Sequence, residues 1–214
     1  MKAVLSNRIF LEVTREYGDF LKDELSYAIP NFQNPDQPQI LRNFTTIREG
    51  LMSIPIGRID LIPEGYEVKD KRLLVPAKFP EFKGTLRDSQ QLVHDQLNDN
   101  CIINAKPSWG KTYAGLKIAG KLGQKTLVVV HTVPLRNQWA REVEKVYGIT
   151  PGVIGSSKFN ITPPIVIGNV QSLYNCMPQI QKTFGTIILD EMHHVSSPTF
   201  SRVIDKTYSR YNIG

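Results

Sequence analysis

The chain has 214 residues, 41% of them hydrophobic, and carries a formal net charge of +6. That apolar content excludes a disordered chain, and no apolar run is long enough to span a bilayer or to act as a secretory signal, so we expect a cytoplasmic globular protein. The charge is uneven, because residues 1–83 hold twelve basic and twelve acidic side chains whereas residues 84–214 hold fourteen and eight, which predicts a polyanionic ligand for the second half.

Residues 1–80 predict a small α+β domain. Residues 8–13 favour a strand, and residues 17–29 have the spacing of an amphipathic helix that ends before Pro30. Residues 30–39 contain three prolines and two asparagines, a composition typical of a loop. We therefore expect a strand, a helix and a loop, in that order, at the start of this domain.

A hairpin is the next predicted feature of the same domain. Residues 56–62 and 66–75 favour strands, and Pro63-Glu64-Gly65 supplies a turn between them. Basic residues in this region are candidate contacts to a DNA duplex, so we expect residues 1–80 to bind DNA. The alternative is a merely solvated hairpin face, because acidic residues are interleaved with the basic ones. The basic residues are Arg58, Lys69, Lys71 and Arg72.

From residue 84 onward, strand and helix patterns alternate. The preceding segment, residues 76–84, carries two prolines and two phenylalanines and indicates a domain boundary. Each strand is a short apolar run such as residues 126–130, which is typical of a strand covered on both faces. We therefore predict an α/β domain over residues 84–214 with a doubly wound, mostly parallel sheet. The predicted elements are 101–105, 111–122, 126–131, 134–147, 165–168, 170–182, 186–190 and 197–208.

The segment before the helix at 111–122 has the spacing of a phosphate-binding loop. Ala105 is followed after four residues by Gly110-Lys111-Thr112, which is the Walker A spacing with alanine in place of the first glycine. A tight turn before a helix points backbone N–H groups and the positive end of the helix dipole at a phosphate. We expect Lys111 to reach the β- and γ-phosphates and the Thr112 hydroxyl to bind Mg²⁺. The candidate nucleotide-binding residues are Ala105, Lys106, Pro107, Ser108, Trp109, Gly110, Lys111 and Thr112.

Two adjacent carboxylates follow the apolar run at residues 186–189. Asp190 and Glu191 would lie at the carboxyl end of a parallel strand, where open α/β sheets bind their ligands. We expect Asp190 to hold Mg²⁺ and Glu191 to polarise the attacking water. Together with the phosphate-binding loop, this pair predicts ATP or GTP as a ligand, in preference to a glycine turn before an ordinary helix. A zinc site formed by Glu191, His193 and His194 is the alternative.

Asp190-Glu191-Met192-His193 resembles the D-E-x-H box of superfamily 2 helicases and translocases. The resemblance implies a RecA-like P-loop NTPase fold in which Lys111 and Glu191 are catalytic and His193 couples the nucleotide site to the next motif. Leu86-Arg87-Asp88-Ser89-Gln90 is similar to the L-R-x-x-Q element of these motors. In that element Gln90 would read the edge of adenine, which favours ATP over GTP.

Two other segments are similar to the nucleic-acid-binding elements of this family. Residues 130–139 resemble motif Ia, in which the start of a helix binds the phosphates of one DNA strand, whereas Leu135 and Trp139 are expected to pack inside. Residues 169–173 are similar to the T-x-Q-S/T element, although Asn169 stands where threonine is commoner. The implied nucleic-acid contacts are Pro134, Arg136, Asn137, Gln138, Gln171 and Ser172.

The resemblance as a whole implies an ATP-dependent DNA helicase or translocase that uses Mg²⁺ and acts on branched DNA in replication, recombination or repair, most like bacteriophage branch-migration helicases of the UvsW type. The chain would then hold an N-terminal domain and the first of two RecA-like domains. Without a second domain and its arginine finger, turnover by this chain alone should be weak.

Three alternatives stay open at this point. The chain could be the motor subunit of a nuclease complex, or an ATP- and DNA-binding module without turnover. It could also act on RNA, although the D-E-A-D group of RNA helicases would show alanine and aspartate at Met192 and His193.

Overall fold

The computed structural model of the chain describes residues 1–30, 38–191, 203 and 205–214. The chain divides into two compact units, Met1–Arg72 and Leu73–Gly214. Most of the helix expected over residues 197–208 lies outside the described residues. In the described part of the chain, none of the helices has the length and apolar content needed to cross a membrane.

The first unit is a small α+β domain built on a five-stranded sheet with the order β5-β6-β2-β1-β7. Its strands are antiparallel except for the parallel pair of β1 and β7, and β3 and β4 form a separate two-stranded sheet. One face of the sheet is buried with residues of the helix, so the unit has its own apolar core. The elements are β1 Lys2–Leu5, β2 Ile9–Glu12, α1 Arg15–Glu24, β3 Ser26–Ile29, β4 Gln39–Arg42, β5 Thr45–Arg48, β6 Leu51–Ile54, a 3₁₀ turn Ile59–Leu61 and β7 Glu67–Asp70.

Two sequence predictions for this unit are wrong. The helix ends at Glu24, and the residues after it form β3 because they pair in antiparallel register with β4. Residues 56–75 do not form the expected hairpin, since β7 pairs in parallel with β1 at the N-terminus. In both places pairing with another strand determines the structure, and local propensity does not report such a partner.

The second unit is an α/β domain whose six-stranded sheet has the order β10-β9-β11-β8-β12-β13. Neighbouring strands from β9 to β13 are parallel, and β10 is an antiparallel edge strand. The elements are α2 Asp88–Gln96, α3 Lys111–Leu122, β8 Thr126–Val130, α4 Val133–Tyr147, β9 Gly152–Gly155, β10 Lys158–Phe159, β11 Ile165–Asn169, α5 Val170–Ile180, β12 Thr186–Leu189 and β13 Tyr211–Ile213.

Helices cover both faces of this sheet. Val128 and Val130 of β8 belong to the apolar cluster that includes residues of α3 and α4, whereas Leu127 and Val129 belong to the cluster on the other face with α5. All five residues of β8 are buried, as expected for a strand covered on both sides. The prediction of a doubly wound, mostly parallel sheet is therefore confirmed.

The segment before the phosphate-binding loop follows the edge of the sheet and is not a complete strand. Cys101 forms a single parallel bridge with Ile213, and the N–H of Ile103 donates to the carbonyl of Gly214 over 2.7 Å. This segment therefore lies beside β13 and continues the sheet by only three residues. β13 separates this segment from β12 in the sheet, and residues of the segment and of the end of β12 face one common cavity.

Residues 73–84 belong to the second unit. The division between the two units therefore lies before residues 76–84, the segment that the sequence indicated as a boundary. Pro76 bridges to Gln124, and the N–H of Lys83 donates to the carbonyl of Val146 over 2.7 Å. Phe79 and Phe82 pack against the apolar cluster beside Tyr147. The two aromatic rings of this proline-containing segment are thus part of a core.

Candidate nucleotide site and nucleic-acid face

A cavity of about 500 Å³ opens where β12 ends and α3 begins. Its walls are the segment before the phosphate-binding loop, the first turns of α3, one residue of α4 and the two carboxylates after β12. The residues that the sequence predicted to act together therefore line one space. They are Ala105, Lys111, Asp190 and Glu191.

The predicted lysine faces the predicted catalytic base. Lys111 Nζ lies 3.9 Å from Glu191 Oε1, and each side chain keeps more than a third of its surface exposed. A pair this exposed contributes little to stability, so both groups can exchange their contact for a ligand. Glu191 has a φ of 58°, a left-handed backbone conformation that is uncommon outside glycine and often found at functional sites.

The phosphate-binding loop enters α3 through a left-handed turn. Ser108 and Gly110 have φ values of 65° and 88°, and Gly110 is the N-cap residue of α3. A Cβ atom added to Gly110 would lie 2.7 Å from Gln90 Nε2 and 3.0 Å from Arg87 Nη2, so a side chain here would displace the two groups that hold the loop. The first N–H groups of a helix have no acceptor within it, and they favour an anion at this place.

Side chains at the start of helix α2 hold this loop by hydrogen bonds to the loop's carbonyl groups. Gln90 is 3% exposed; its Oε1 accepts from the N–H of Arg87 over 2.9 Å, and its Nε2 donates to the carbonyl of Trp109 over 2.8 Å. The guanidinium of Arg87 donates to the carbonyls of Ser108 and Trp109, and the indole of Trp109 donates to Ser89 Oγ over 3.1 Å. Both ends of the Gln90 amide, expected to read adenine, are engaged within the protein.

The remaining loop residues surround the same entrance. Lys106 and Pro107 are exposed, and the carbonyl of Lys106 accepts from the N–H of Trp109 over 3.2 Å. Thr112, the second residue of α3, is half-buried. The phosphates of a nucleotide fit this site. The helix N-terminus and the amine of Lys111 both attract their negative charge, and the adjoining cavity gives them room.

A magnesium ion also fits the donors at this site. The hydroxyl of Thr112 and the carboxylate of Asp190 are oxygen donors of the kind that Mg²⁺ prefers, with phosphates and water completing its octahedron. Among the described residues, no group of three or more His, Cys, Asp or Glu side chains forms a protein-only metal cage. His193 and His194, the candidate coupling residue and the third member of the zinc alternative, lie outside the described residues.

One contact at this site was not foreseen from the sequence. Trp139 of α4, expected only to pack, donates from Nε1 to Asp190 Oδ2 over 2.7 Å. Fifty-one positions separate the two residues along the chain, so no local pattern could have found this contact.

The predicted nucleic-acid contacts lie at the N-termini of α4 and α5, two helices that cover opposite faces of the sheet. The helices α4 and α5 follow β8 and β11, which are adjacent parallel strands. Both helices therefore begin at the carboxyl end of the sheet. Of the six residues predicted as contacts, five are exposed or half-buried. The accessible residues are Pro134, Asn137, Gln138, Gln171 and Ser172.

Arg136 is the exception, because it is 7% exposed. Its guanidinium donates from Nη1 to Asn169 Oδ1 over 3.0 Å and from Nη2 to Ser156 Oγ over 3.2 Å. A Cβ atom added to Gly155 would lie 2.9 Å from Ser172 Oγ and 3.0 Å from Arg136 Nη1. Three loop regions, after β8, β9 and β11, therefore pack closely around one buried guanidinium.

This fold and this site define a RecA-like nucleotide-binding domain of the superfamily 2 helicase type, preceded by a small α+β unit. The chain belongs to the family described as "Type III restriction enzyme, res subunit", which matches residues 35–214. The match confirms the resemblance that the D-E-x-H box indicated.

Two relatives of the chain are viral proteins named as helicases. Helicase D10 of Escherichia phage T5, named as probable, is 39% identical over 218 residues, which is 100% of this chain and 48% of D10. Protein L396 of Acanthamoeba polyphaga mimivirus, provisionally named an ATP-dependent RNA helicase, is 34% identical over 148 residues, 65% of this chain and 28% of L396. The chain thus spans about half the length of D10 and less of L396.

The crystal structure of the UvsW helicase from bacteriophage T4 has the same fold. It matches 100% of this chain and 92% of the crystallised chain with a TM-score of 0.72, at 16% sequence identity. The likeness extends over both compact units, which confirms that a UvsW-like N-terminal unit precedes the RecA-like domain.

Proposed function

We propose that the chain binds ATP and Mg²⁺ as part of an ATP-dependent DNA helicase or translocase. The observation that carries the proposal is the convergence of Lys111, Asp190 and Glu191 on one cavity at a helix N-terminus, with Lys111 Nζ 3.9 Å from Glu191 Oε1. These groups supply a cation for the phosphates, a carboxylate for the metal and a second carboxylate for water.

This geometry and the D-E-x-H motif support the following roles for the residues. The loop from Ala105 to Gly110, with Lys111, binds the β- and γ-phosphates, and Thr112 and Asp190 hold Mg²⁺. Glu191 orients and deprotonates the attacking water, and His193 takes the coupling role that the D-E-x-H box implies. Magnesium, when bound, offsets the negative charge that develops on the phosphates.

Nucleic acid is proposed to bind across the starts of α4 and α5. Exposed polar side chains there lie beside two helix N-termini, which favour phosphate oxygens. The basic excess of residues 84–214 adds a long-range attraction. We propose branched DNA as the ligand, with the first unit as a further DNA-binding surface, because the UvsW-like fold extends over that unit and the D-E-x-H letters differ from those of the D-E-A-D group.

RNA is the competing ligand, since one relative is provisionally named an RNA helicase. Binding of a DNA fork, a plain DNA duplex and an RNA fork of the same length, measured at several salt concentrations, tests the choice. We expect the DNA fork to bind most tightly and every affinity to fall with salt. Equal affinity for the RNA fork and the DNA fork would remove branched DNA as the preferred substrate.

A second RecA-like domain is proposed to complete the catalytic site in the whole protein. The chain spans 48% of D10, and the family resemblance implies that the rest supplies an arginine finger. Such a finger increases the rate by roughly 10³–10⁵ in related phosphoryl transfer. We therefore expect the 214-residue chain to bind ATP but to hydrolyse it slowly, and robust DNA-stimulated turnover by this chain alone would contradict the proposal.

A motor subunit of a nuclease complex is the second candidate, because the matching family is described by a restriction enzyme subunit. The two candidates share the ATP site and differ in the products. A DNA fork incubated with the full-length protein and ATP should be remodelled without strand cleavage if the helicase proposal holds.

Nucleotide binding is tested by a matched pair of lysine substitutions on α3. Lys111→Met should weaken binding of a fluorescent ATP analogue, N-methylanthraniloyl-ATP, by about 10- to 100-fold, because a charged hydrogen bond to phosphate is worth about 1.5–3 kcal/mol. Lys117→Met removes the same charge from a half-buried lysine that contacts the ring of Phe82, and it should leave binding unchanged. Equal affinities of the two variants would contradict the assigned site.

A further inference from the structure

We infer that Trp139 is a positioning residue that fixes the metal-binding carboxylate of Asp190. The inference rests on the proposed function, since it assigns a role within the same ATP site. The indole Nε1 donates to Asp190 Oδ2 over 2.7 Å, and the Trp139 side chain is 2% exposed. A distance of 2.7 Å lies at the short end of the range for N–H···O hydrogen bonds.

The indole of Trp139 is closely packed on several sides. A Cβ atom added to Gly115 of α3 would lie 3.3 Å from Trp139 Cη2, so the ring lies directly against the helix that begins at Lys111. Trp139 also belongs to the apolar cluster with Ile188 of β12 and Val143 of α4. The indole is therefore held between α3, α4 and β12, and its N–H is fixed in direction.

A fixed donor determines which oxygen of Asp190 is presented to a metal. Because the indole donates to Oδ2, Oδ1 is the oxygen that Asp190 would present to a metal ion. Groups that orient metal ligands in this way typically change metal affinity by 10- to 100-fold when they are removed. Loss of the indole N–H would also free the carboxylate to rotate.

Trp139 connects the carboxylate of Asp190 to the proposed nucleic-acid face, because it belongs to the helix whose start forms part of that face. Helix α4 begins at Val133, and its first residues include the exposed Pro134, Asn137 and Gln138. Trp139 directly follows Gln138 on that helix. A displacement of α4 on nucleic-acid binding would therefore move the donor that holds Asp190.

The test separates metal positioning from general stability with two aromatic substitutions on α4. Trp139→Phe keeps a ring and removes the N–H. Tyr147→Phe is the matched control, because the Tyr147 hydroxyl donates a comparable buried hydrogen bond to the carbonyl of Leu116 over 2.7 Å. Binding of N-methylanthraniloyl-ATP is measured with and without Mg²⁺ on the 214-residue chain, and thermal unfolding is recorded for every variant.

Trp139→Phe should raise the Mg²⁺ concentration for half-maximal binding by ~10-fold or more, and leave metal-free binding of the analogue unchanged. Tyr147→Phe should leave the Mg²⁺ requirement unchanged while lowering the unfolding temperature. Gly115→Ala, which keeps the indole N–H but presses on its ring at 3.3 Å, should also raise the Mg²⁺ requirement. This variant serves if Trp139→Phe folds poorly.

The results are distinguishable from failure of the proposed function. If the unaltered chain binds the analogue no better than Lys111→Met does, the ATP site itself is wrong, and the inference falls with it. If the unaltered chain binds with Mg²⁺ and Trp139→Phe has the same Mg²⁺ requirement, the inference alone is overturned. Equal shifts for Trp139→Phe and Tyr147→Phe would likewise overturn it.

Discussion

The guanidinium of Arg136 donates to Asn169 Oδ1 over 3.0 Å, and this buried bond joins the first turn of α4 to the end of β11. A second bond, 3.2 Å to Ser156 Oγ, reaches the loop after β9. The sequence predicts Arg136 as a direct phosphate contact. Since the side chain is 7% exposed, we propose that it serves nucleic-acid binding by holding these loops together.

Arg136→Met is expected to lower the free energy of unfolding by about 1–3 kcal/mol, because it leaves a buried amide oxygen without its donor. Nucleic-acid affinity should fall with it, as the loops lose their common anchor. Arg141→Met, at an exposed position on the same helix, is the control and should change stability by no more than about 0.5 kcal/mol. Urea unfolding of both variants checks the prediction, and equal stabilities would contradict it.

Gly110→Ala should abolish nucleotide binding as well as cost stability. The φ of 88° strains any side chain by roughly 1–2 kcal/mol, and the added Cβ atom would lie 2.7 Å from Gln90 Nε2. Gly123→Ala is the matched control at the other end of α3, where φ is 61° and no atom lies within 4 Å of the added Cβ.

Urea unfolding should show a comparable decrease in the free energy of unfolding for both glycine variants, because both strain the backbone. Only Gly110→Ala should lose binding of N-methylanthraniloyl-ATP. Retained binding by Gly110→Ala would show that the loop tolerates a side chain and would contradict the close packing with α2.

The parts of the fold that could be predicted from the sequence are those fixed by local pattern. Residues 126–130 form an uninterrupted apolar run because both faces of β8 are covered, and α4 has a proline in its first turn and a glycine just after its end. The tight turn before α3 could be predicted as well, because it needs the left-handed φ of 88° that Gly110 readily adopts.

The parts that could not be predicted depend on partners distant in sequence. β7 pairs with the N-terminal strand β1, and no feature of residues 66–75 names that partner. The bond from Trp139 to Asp190 also joins residues far apart in the sequence, and the sequence around Trp139 is that of an ordinary buried tryptophan. Burial of Arg136 was equally hidden, because its acceptors lie 20 and 33 positions away.

Gln90→Ala is expected to weaken binding of ATP and GTP by similar factors, about 10-fold each. The reason is that the Gln90 amide holds the carbonyl of Trp109 in the phosphate-binding loop, and loss of a buried partner costs about 1–3 kcal/mol. Gln91→Ala, the exposed neighbour that donates to Asp95, is the control and should bind both nucleotides as before. Selective loss of ATP binding would instead assign Gln90 to the reading of adenine.

The buried hydroxyl of Tyr147 predicts a specific loss of stability in alkali. Burial raises the pKa of Tyr147 well above its ordinary value of 10.0, and the hydroxyl must keep its proton to donate to the carbonyl of Leu116. The unfolded chain releases this proton near pH 10 whereas the folded chain retains it, so the stabilisation is full below that pH and declines as pH rises further.

Tyr147→Phe should therefore be about 1 kcal/mol less stable than the unaltered chain at pH 8, and the difference should shrink by up to about 1.4 kcal/mol per pH unit above pH 10. Urea unfolding at pH 8, 9, 10 and 10.5 measures it. Trp139→Phe is the control, because the indole has no proton to lose in this range, so its difference from the unaltered chain should stay constant. A constant difference for Tyr147→Phe would mean that its hydroxyl is not protected by the fold.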